Sequence, residues 1–364
     1  MATDCFLRTT SGDDGGRRLG TTPEEPKRSR AKTGRVLKAL ITEGEGFAGS
    51  HLAEHLLSQG QEVVAVVFDE AYVANLRHLG CRVRIVQADI RDFDRLVQVV
   101  HDTNPQRIYH LAAMSWPADS FEGPKLKYDV NFGGTLNLLC AWRPLELDCR
   151  LLFVGSADVY GPAGGDDTPL REDAPLRPGS PYVGSKLAAE ILTSQFFESY
   201  GLPVVRVRPF NHTGPRQSES FVCSGFAKQI VEYEAGFRPN GIKVGNLDVC
   251  RDFSDVRDIV RGYCLLLEKG TPGEVYHLCS GRAVSVADVL QILTRLSSKP
   301  VPVSVDASKV RAHEAHVRRG DPSKAREATG WIPEYELETT LHDLKLYWED
   351  VVQSDPSGMP RMPS

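Results

Sequence analysis

The sequence predicts an α/β fold, with a doubly wound parallel sheet and a smaller second lobe. One observation is the regular alternation of short apolar runs with helical stretches between residues 35 and 210, which is typical of βαβ units. The other is a glycine turn, Gly44, Gly46 and Gly49, that lies between an apolar run and a helical stretch. This arrangement indicates a Rossmann-type dinucleotide site, because glycines let the backbone and a helix N-terminus approach a pyrophosphate.

The predicted elements follow one another at short intervals. Continuous Val-, Ile- and Leu-rich runs indicate strands that are buried on both faces, at 37–41, 62–68, 83–87, 107–111, 150–155 and 204–208, and shorter strands follow at 242–245 and 275–278. We expect helices at 47–57, 74–79, 128–142, 182–200, 221–235, 256–269, 286–296 and 337–349. A further helix is expected to start within the acidic run ADIRD, Ala88 to Asp92, and Ser285 is a candidate N-cap.

These elements divide the chain into regions. Residues 1–34 are poor in apolar residues and predict a disordered tail without a secretory signal, and 353–364 predict a second tail. Residues 35–210 predict the NAD(P)-binding domain, with a return to its sheet at 253–279. Residues 211–252 and 280–352 lack sustained βαβ alternation and predict a C-terminal substrate-binding lobe.

Composition excludes several classes of protein. Of the 364 residues, 41% are hydrophobic and 25% are charged, as in soluble globular proteins. A net charge of −5 gives no basic footprint for nucleic acid, and no apolar run is long enough to span a bilayer. The 8 cysteines are scattered, which argues against a disulfide framework and a metal site. We therefore expect a cytoplasmic protein with neither nucleic-acid nor membrane partners.

The strongest group of candidate catalytic residues is Ser156, Tyr182 and Lys186. Ser156 follows the fifth predicted strand, and Tyr182 and Lys186 are one helical turn apart, so that phenol and ammonium share a face. A nearby cation is expected to lower the pKa of the Tyr182 phenol, which could then exchange a proton with a hydroxyl or ketone. Hydride transfer to or from a nicotinamide would complete an oxidoreductase reaction.

The chain resembles the extended short-chain dehydrogenase/reductase family over about residues 35–352. The resemblance depends on the glycine turn, ADIRD, HLAA at 110–113, NFGGT at 131–135, GSADVYG, PYVGSK and RDFSDVRD. It implies that Asp89 and Ile90 lie by the adenine, that Ala112 and Ala113 line the cofactor, and that Asn131 supports the active site. The full set of candidate cofactor residues is Gly44, Gly46, Phe47, Ala48, Gly49, Asp69, Asp89, Ile90, Ala112, Ala113, Asn131, Tyr182 and Lys186.

The segment 208–222, with VGNLDVCRDFSDVRD, is similar to enzymes of GDP-linked 6-deoxy sugars, the GDP-mannose 4,6-dehydratases and GDP-4-keto-6-deoxymannose reductases. The resemblance implies a GDP-linked sugar as substrate, bound by Ser115, Asn211, Arg251 and Arg318. A dehydratase carries Glu as a base at the position of Asp158, which is one methylene shorter. We therefore favour reduction of a C4 ketone, with dehydration as the alternative and Asp158 as a further catalytic candidate.

Three further expectations stay open. The cofactor is NAD or NADP: Asp69 favours NAD, whereas Arg91 could serve the phosphate of NADP. Glu43 replaces the first glycine of the family's turn, which leaves a non-catalytic nucleotide-sugar-binding protein as another alternative, unless Gly44 lets Glu43 turn outward. The family resemblance also implies a homodimer formed through the helices at 128–142 and 182–200.

Overall fold

The computed structural model describes residues 36–115, 123–145, 147–162, 168–307 and 316–354. The strands are β1 (Lys38–Thr42), β2 (Glu62–Val67), β3 (Val83–Gln87), β4 (Arg107–His110), β5 (Arg150–Val154), β6 (Val204–Pro209), β7 (Asn211–Thr213), β8 (Ile242–Val244), β9 (Cys250–Asp255), β10 (Val275–Leu278), β11 (Ala283–Ser285), β12 (Val303–Val305) and β13 (Val317–Arg318). The α-helices are α1 (Phe47–Ser58), α2 (Phe93–Thr103), α3 (Pro124–Tyr128), α4 (Gly134–Trp142), α5 (Pro181–Tyr200), α6 (Val222–Glu234), α7 (Val256–Lys269), α8 (Val286–Arg295), α9 (Ser323–Thr329) and α10 (Leu337–Ser354). The predicted tail at 1–34 lies outside the described residues, and α10 runs two residues into the segment predicted as the second tail.

A seven-stranded sheet organises the described chain. Its strands run parallel in the order β10-β6-β5-β4-β1-β2-β3. Successive strands extend the sheet in one direction from β1 to β3 and in the other from β4 onward, so the predicted doubly wound α/β fold is confirmed. The order reverses between β1 and β4, and ligands bind beyond the carboxyl ends of the strands at such a point.

The sheet is buried on both faces, as the apolar runs predict. Ala39, Leu40 and Ile41 of β1 are fully buried. One hydrophobic cluster packs β1 and β2 against α1 and α7, and the other packs α2, α4 and α5 against the opposite face. These two layers fix the helix N-termini at the edge where the strands end.

Three helical predictions need correction. Helix α2 begins at Phe93 rather than within ADIRD, because the Asp92 side chain caps it by accepting the N–H of Arg95 at 3.0 Å. The stretch predicted as a helix at 74–79 belongs to a 3₁₀ segment, Glu70–Arg82, with non-helical backbone at Gly80. The helix predicted at 128–142 begins earlier, at Pro124, and a π turn, Asp129–Gly133, separates α3 from α4.

A smaller hydrophobic cluster lies C-terminal to β6. It packs α6, α8 and α10 beside β9, which pairs with β7, β11 and β13. The predicted N-cap of α8 is confirmed, because the Ser285 hydroxyl accepts the N–H of Asp288 at 3.0 Å. Within the described ranges, no helix has both the length and the apolar character needed to cross a membrane. The cysteines in those ranges are free thiols.

Candidate active site

Ser156, Tyr182 and Lys186 meet at the carboxyl end of β5. Ser156 follows β5 and caps a short 3₁₀ turn, where its hydroxyl accepts the N–H of Asp158 at 3.1 Å. Tyr182 and Lys186 lie in the first turns of α5, which is capped by the Ser180 side chain. Both side chains are buried, and the phenol of Tyr182 is hydrogen-bonded to Ser156. The structure therefore brings the three predicted catalytic residues together.

The electrostatics of this trio differ from the sequence-based expectation. Burial raises the pKa of the Tyr182 phenol, and the negative charge of Asp158 raises it further, whereas the hydrogen bond from Ser156 lowers it. The expectation that Lys186 lowers the pKa of the Tyr182 phenol below its ordinary value is therefore wrong. Burial also lowers the pKa of Lys186 to about 8, although the charges of Glu43 and Glu190 oppose that change. Tyr182 thus stays protonated at neutral pH and is suited to donate a proton.

Asp158 and Arg318, predicted for catalysis and for substrate binding, contact each other. Arg318, on β13, donates to the Asp158 carboxylate through Nη1 and to the Gly161 carbonyl through Nη2 at 3.2 Å. A carboxylate that is held by a guanidinium is less available to take a proton from carbon. This contact therefore argues against a role for Asp158 as a catalytic base.

Arg251 lies beside Arg318, because the two residues are register partners on the adjacent parallel strands β9 and β13. Two neighbouring guanidinium groups suit a diphosphate, which accepts bidentate hydrogen bonds. The other two predicted substrate residues lie elsewhere: Asn211 is exposed on β7, and Ser115 is half-buried in the loop after β4.

The glycine turn has the geometry of a phosphate cradle. Gly46 is the N-cap of α1 and offers no side chain to the free N–H groups of the first turn, which includes Phe47 and Ala48. A Cβ on Gly49 would lie 2.0 Å from the Glu43 carbonyl oxygen, and a Cβ on Gly44 would lie 2.5 Å from the Ala65 Cβ. Close packing therefore requires glycine at both positions, and the N-terminus of α1 fits an anionic cofactor group.

Glu43 points into this cleft, so the expectation that it turns outward is wrong. Its backbone is left-handed, with φ of 60°, and its Oε2 accepts the N–H of Ala113 at 3.0 Å. The side chain finds room there because Gly46 lacks a Cβ: an atom at that position would lie 2.8 Å from Glu43 Oε1. Burial, with a smaller contribution from Glu45, raises the pKa of Glu43 to about 8.

The loop after β4 is held by the polar residues around it. The Thr42 hydroxyl accepts the N–H groups of Leu111 and Ala112, each at 3.1 Å. Asn131, in the π turn, accepts the N–H of Met114 at 2.7 Å and donates to the Ser185 hydroxyl at 2.9 Å. Asn131 thus ties this loop to α5, the helix that carries Tyr182 and Lys186.

The predicted adenosine end contains acids from two loops. Asp69 accepts the N–H of Ala71 at 2.9 Å. Glu45, which sequence reasoning missed, reaches the end of β2, where its Oε1 accepts the N–H of Phe68 at 2.7 Å. Its other carboxylate oxygen is buried and has no hydrogen-bond partner among the described residues. Such an acceptor at the end of β2 suits a ribose hydroxyl.

The third strand leads to the other predicted adenine residues. Asp89 accepts two hydrogen bonds from Nε of Arg91, at 2.9 and 3.1 Å, so a role for Arg91 at a cofactor phosphate would require this pair to break. Ile90 is buried and packs closely on α4, where a Cβ on Gly134 would lie 2.4 Å from its Cδ1.

A buried polar network below the trio was also missed by sequence reasoning. Arg208 on β6 donates to both carboxylate oxygens of Glu190, and through Nη1 to the Tyr160 hydroxyl. Tyr160 also contacts His277, and it ends the turn that Ser156 begins. In the sequence, Lys186 and Glu190 are one helical turn apart, and this spacing could have indicated that Glu190 lies in a buried polar network near the trio. Among the described residues, no group of three or more His, Cys, Asp or Glu side chains could hold a metal ion.

Comparison with known proteins gives matches to enzymes that act on GDP-linked sugars. The model of the family described as GDP-mannose 4,6 dehydratase matches residues 40–344. The chain is 34% identical to GDP-6-deoxy-D-mannose reductase of Pseudomonas aeruginosa, covering 87% of this chain and 99% of the relative. It is 30% identical to GDP-mannose 4,6-dehydratase of Yersinia enterocolitica, covering 83% and 91%.

Solved structures show the same similarity. The structure of RMD from Pseudomonas aeruginosa complexed with NADPH has a TM-score of 0.74 at 30% identity, and covers 86% of this chain and 99% of that one. UDP-glucose 4-epimerase of Thermus thermophilus in complex with NAD has a TM-score of 0.76 at 26% identity, with coverage of 86% and 99%.

Proposed function

The chain belongs to the GDP-mannose 4,6-dehydratase family, and we propose that it reduces the C4 ketone of a GDP-4-keto-6-deoxy-hexose with NADH or NADPH. The observation that carries this proposal is the Asp158–Arg318 contact beside an intact Ser156–Tyr182–Lys186 trio. A reductase needs a proton donor at the ketone but no base at C5, and the trio supplies the donor. The relative from Pseudomonas aeruginosa that carries the reductase name supports the same interpretation.

In the proposed reaction, Ser156, Tyr182 and Lys186 each have a separate role. The reduced nicotinamide, when bound, supplies the hydride that adds to C4. Tyr182 donates its phenolic proton to the C4 oxygen, and Ser156 donates a hydrogen bond to that oxygen. Lys186 would hold the nicotinamide ribose, and the Tyr182 phenolate then takes a proton back from solvent. The raised pKa of the Tyr182 phenol favours this direction, because the donor must begin protonated.

The proposed cofactor site uses the uncapped N-terminus of α1 for the pyrophosphate. Glu45 and Asp69 at the end of β2 support a preference for NADH, because a carboxylate binds a ribose hydroxyl and repels a 2′-phosphate. The contact of Arg91 with Asp89 supports the same preference. For the sugar nucleotide, Arg251 and Arg318 are proposed to hold the diphosphate, with Arg318 keeping its contact with Asp158.

Two alternatives have specific support. A GDP-mannose 4,6-dehydratase is supported by the relatives of that name, and a non-catalytic binding protein is supported by Glu43 inside the cleft. Incubation with a GDP-4-keto-6-deoxy-hexose and a reduced cofactor tests the reductase directly, because absorbance of the reduced nicotinamide should fall. Conversion of GDP-mannose to the keto sugar without net cofactor use would favour the dehydratase. Absence of cofactor binding would favour the non-catalytic protein.

We also propose a homodimer that uses the helical stretch α3–α4 and α5, in a cytoplasmic protein. Leu126 and Tyr128 on α3 and Ile191 and Tyr200 on α5 are large hydrophobic residues that remain exposed, which supports an interface on these helices. Light scattering tests the assembly: the parent should have twice the chain mass, and Ile191→Glu should shift it toward the monomer. A monomeric parent would refute this part of the proposal.

A further inference from the structure

We propose that the Glu43 carboxyl group occupies the position of the cofactor's pyrophosphate, so that a dinucleotide must displace it in order to bind. The inference rests on the proposed function, since it takes the cleft to be an NAD or NADP site. Glu43 would then set the affinity for the cofactor.

The Glu43 carboxyl group contacts both walls of the cleft. On one wall, Glu43 Oε1 lies against the open face of Gly46, at the N-terminus of α1. On the other wall, Oε2 accepts the N–H of Ala113, in the loop after β4. The glycine in this kind of turn leaves room for a pyrophosphate to approach the backbone. In this chain, the Glu43 carboxyl group fills that space.

The backbone gives Glu43 little freedom to avoid the cleft. Its left-handed conformation is unusual for a residue with a side chain. The Glu43 carbonyl oxygen accepts the N–H of Gly46 at 3.2 Å, and Gly49 packs closely against the same oxygen. Displacement must therefore occur by rotation of the side chain rather than by movement of the turn.

Charges around the carboxyl group set its protonation. Glu45 faces it from the same turn, Lys186 and Tyr182 from α5, and Tyr263 from α7. Burial raises the pKa of Glu43 to about 8, so the enclosed group is mostly neutral at pH 7. Once displaced into water it would ionise, with an ordinary pKa of about 4.3. Binding would thus release close to one proton, and affinity would rise with pH until about pH 8.

Direct titration with NADH, followed by nicotinamide fluorescence, tests the proposal without requiring turnover. Glu43→Gly should bind at least about tenfold more tightly than the parent at pH 7, which corresponds to ~1.4 kcal/mol. Glu43→Ala, too short to reach Ala113, should also gain affinity. Glu43→Gln keeps both the volume and an acceptor for Ala113, and should bind no more tightly than the parent. Glu62→Gln is the matched control, because it removes an exposed acid at the far end of β2 and should change nothing.

The pH dependence is a second measurement on the same samples. The dissociation constant of the parent should fall by up to about tenfold per pH unit below pH 8, whereas that of Glu43→Gln should stay flat. Equal affinities for the parent and Glu43→Gly would overturn the inference and leave the proposed function standing. A gain in Glu43→Gln equal to that in Glu43→Gly would also overturn it. If neither the parent nor Glu43→Gly binds, both the inference and the proposed cofactor site are wrong.

Discussion

Asp158→Asn separates the proposed reductase from the alternative dehydratase. In the structure, Asp158 contacts Arg318 rather than standing free, and the two side chains are 34% and 15% exposed. A partly exposed pair of this kind contributes at most about 1 kcal/mol, and Asn keeps an oxygen that accepts from Arg318. The variant should therefore fold like the parent and unfold at nearly the same temperature.

The expected effect on catalysis follows from the same contact. If Asp158 only supports Arg318, a loss of ~1 kcal/mol corresponds to about a fivefold fall in kcat/KM. If Asp158 is the C5 base of a dehydratase, conversion of GDP-mannose to the keto sugar should fall by about 100- to 10,000-fold. Each variant is therefore assayed both for oxidation of the reduced cofactor by a GDP-4-keto-6-deoxy-hexose and for conversion of GDP-mannose, with Tyr182→Phe as the inactive control. A loss of more than about 100-fold in a folded Asp158→Asn protein would refute the assignment of Asp158 as a supporting residue.

Three further predictions follow from the buried charges. Burial lowers the pKa of Lys186 to about 8 in the free protein, so kcat/KM should fall above about pH 8 as the ammonium loses its proton; a flat profile to about pH 10 would contradict this. Arg208→Met leaves the buried Glu190 carboxylate unpaired and should lower the free energy of unfolding in urea by about 3–5 kcal/mol, against less than about 1 kcal/mol for a surface substitution. The parent should bind NADH more tightly than NADPH, and Glu45→Gln should reduce that ratio in parallel titrations; tighter binding of NADPH by the parent would rule out Glu45 as the determinant.

The parallel sheet could be predicted from the sequence because a short apolar run marks each of its strands. Within the predicted strands, residues 39–41 and 63–68 are continuous apolar runs, and a strand buried on both faces requires this pattern. Helix α7 was predicted with the observed bounds because its apolar positions repeat at helical spacing. The start of α2 was misplaced because Asp89 and Asp92 are equally good caps in sequence, and only the structure shows that Asp92, which accepts the N–H of Arg95, precedes the first turn of α2.

The sequence could predict which residues of the candidate site lie together, but not its electrostatics. The spacing of Tyr182 and Lys186 gives a shared helix face, yet the pKa of the phenol depends on burial and on Asp158, which is distant in sequence. The orientation of Glu43 depends on space left by Gly46 and on the N–H of Ala113, a residue on another strand's loop. Long-range contacts of this kind leave no periodic signal in the sequence.

The most direct test of the proposed reductase is the stoichiometry of its reaction. Purified protein should consume one reduced cofactor for each GDP-4-keto-6-deoxy-hexose that becomes the corresponding GDP-6-deoxy-hexose, and Tyr182→Phe should not. Conversion of GDP-mannose to the keto sugar by the same preparation, with no net change in reduced nicotinamide and no reduction of the keto sugar, would contradict it.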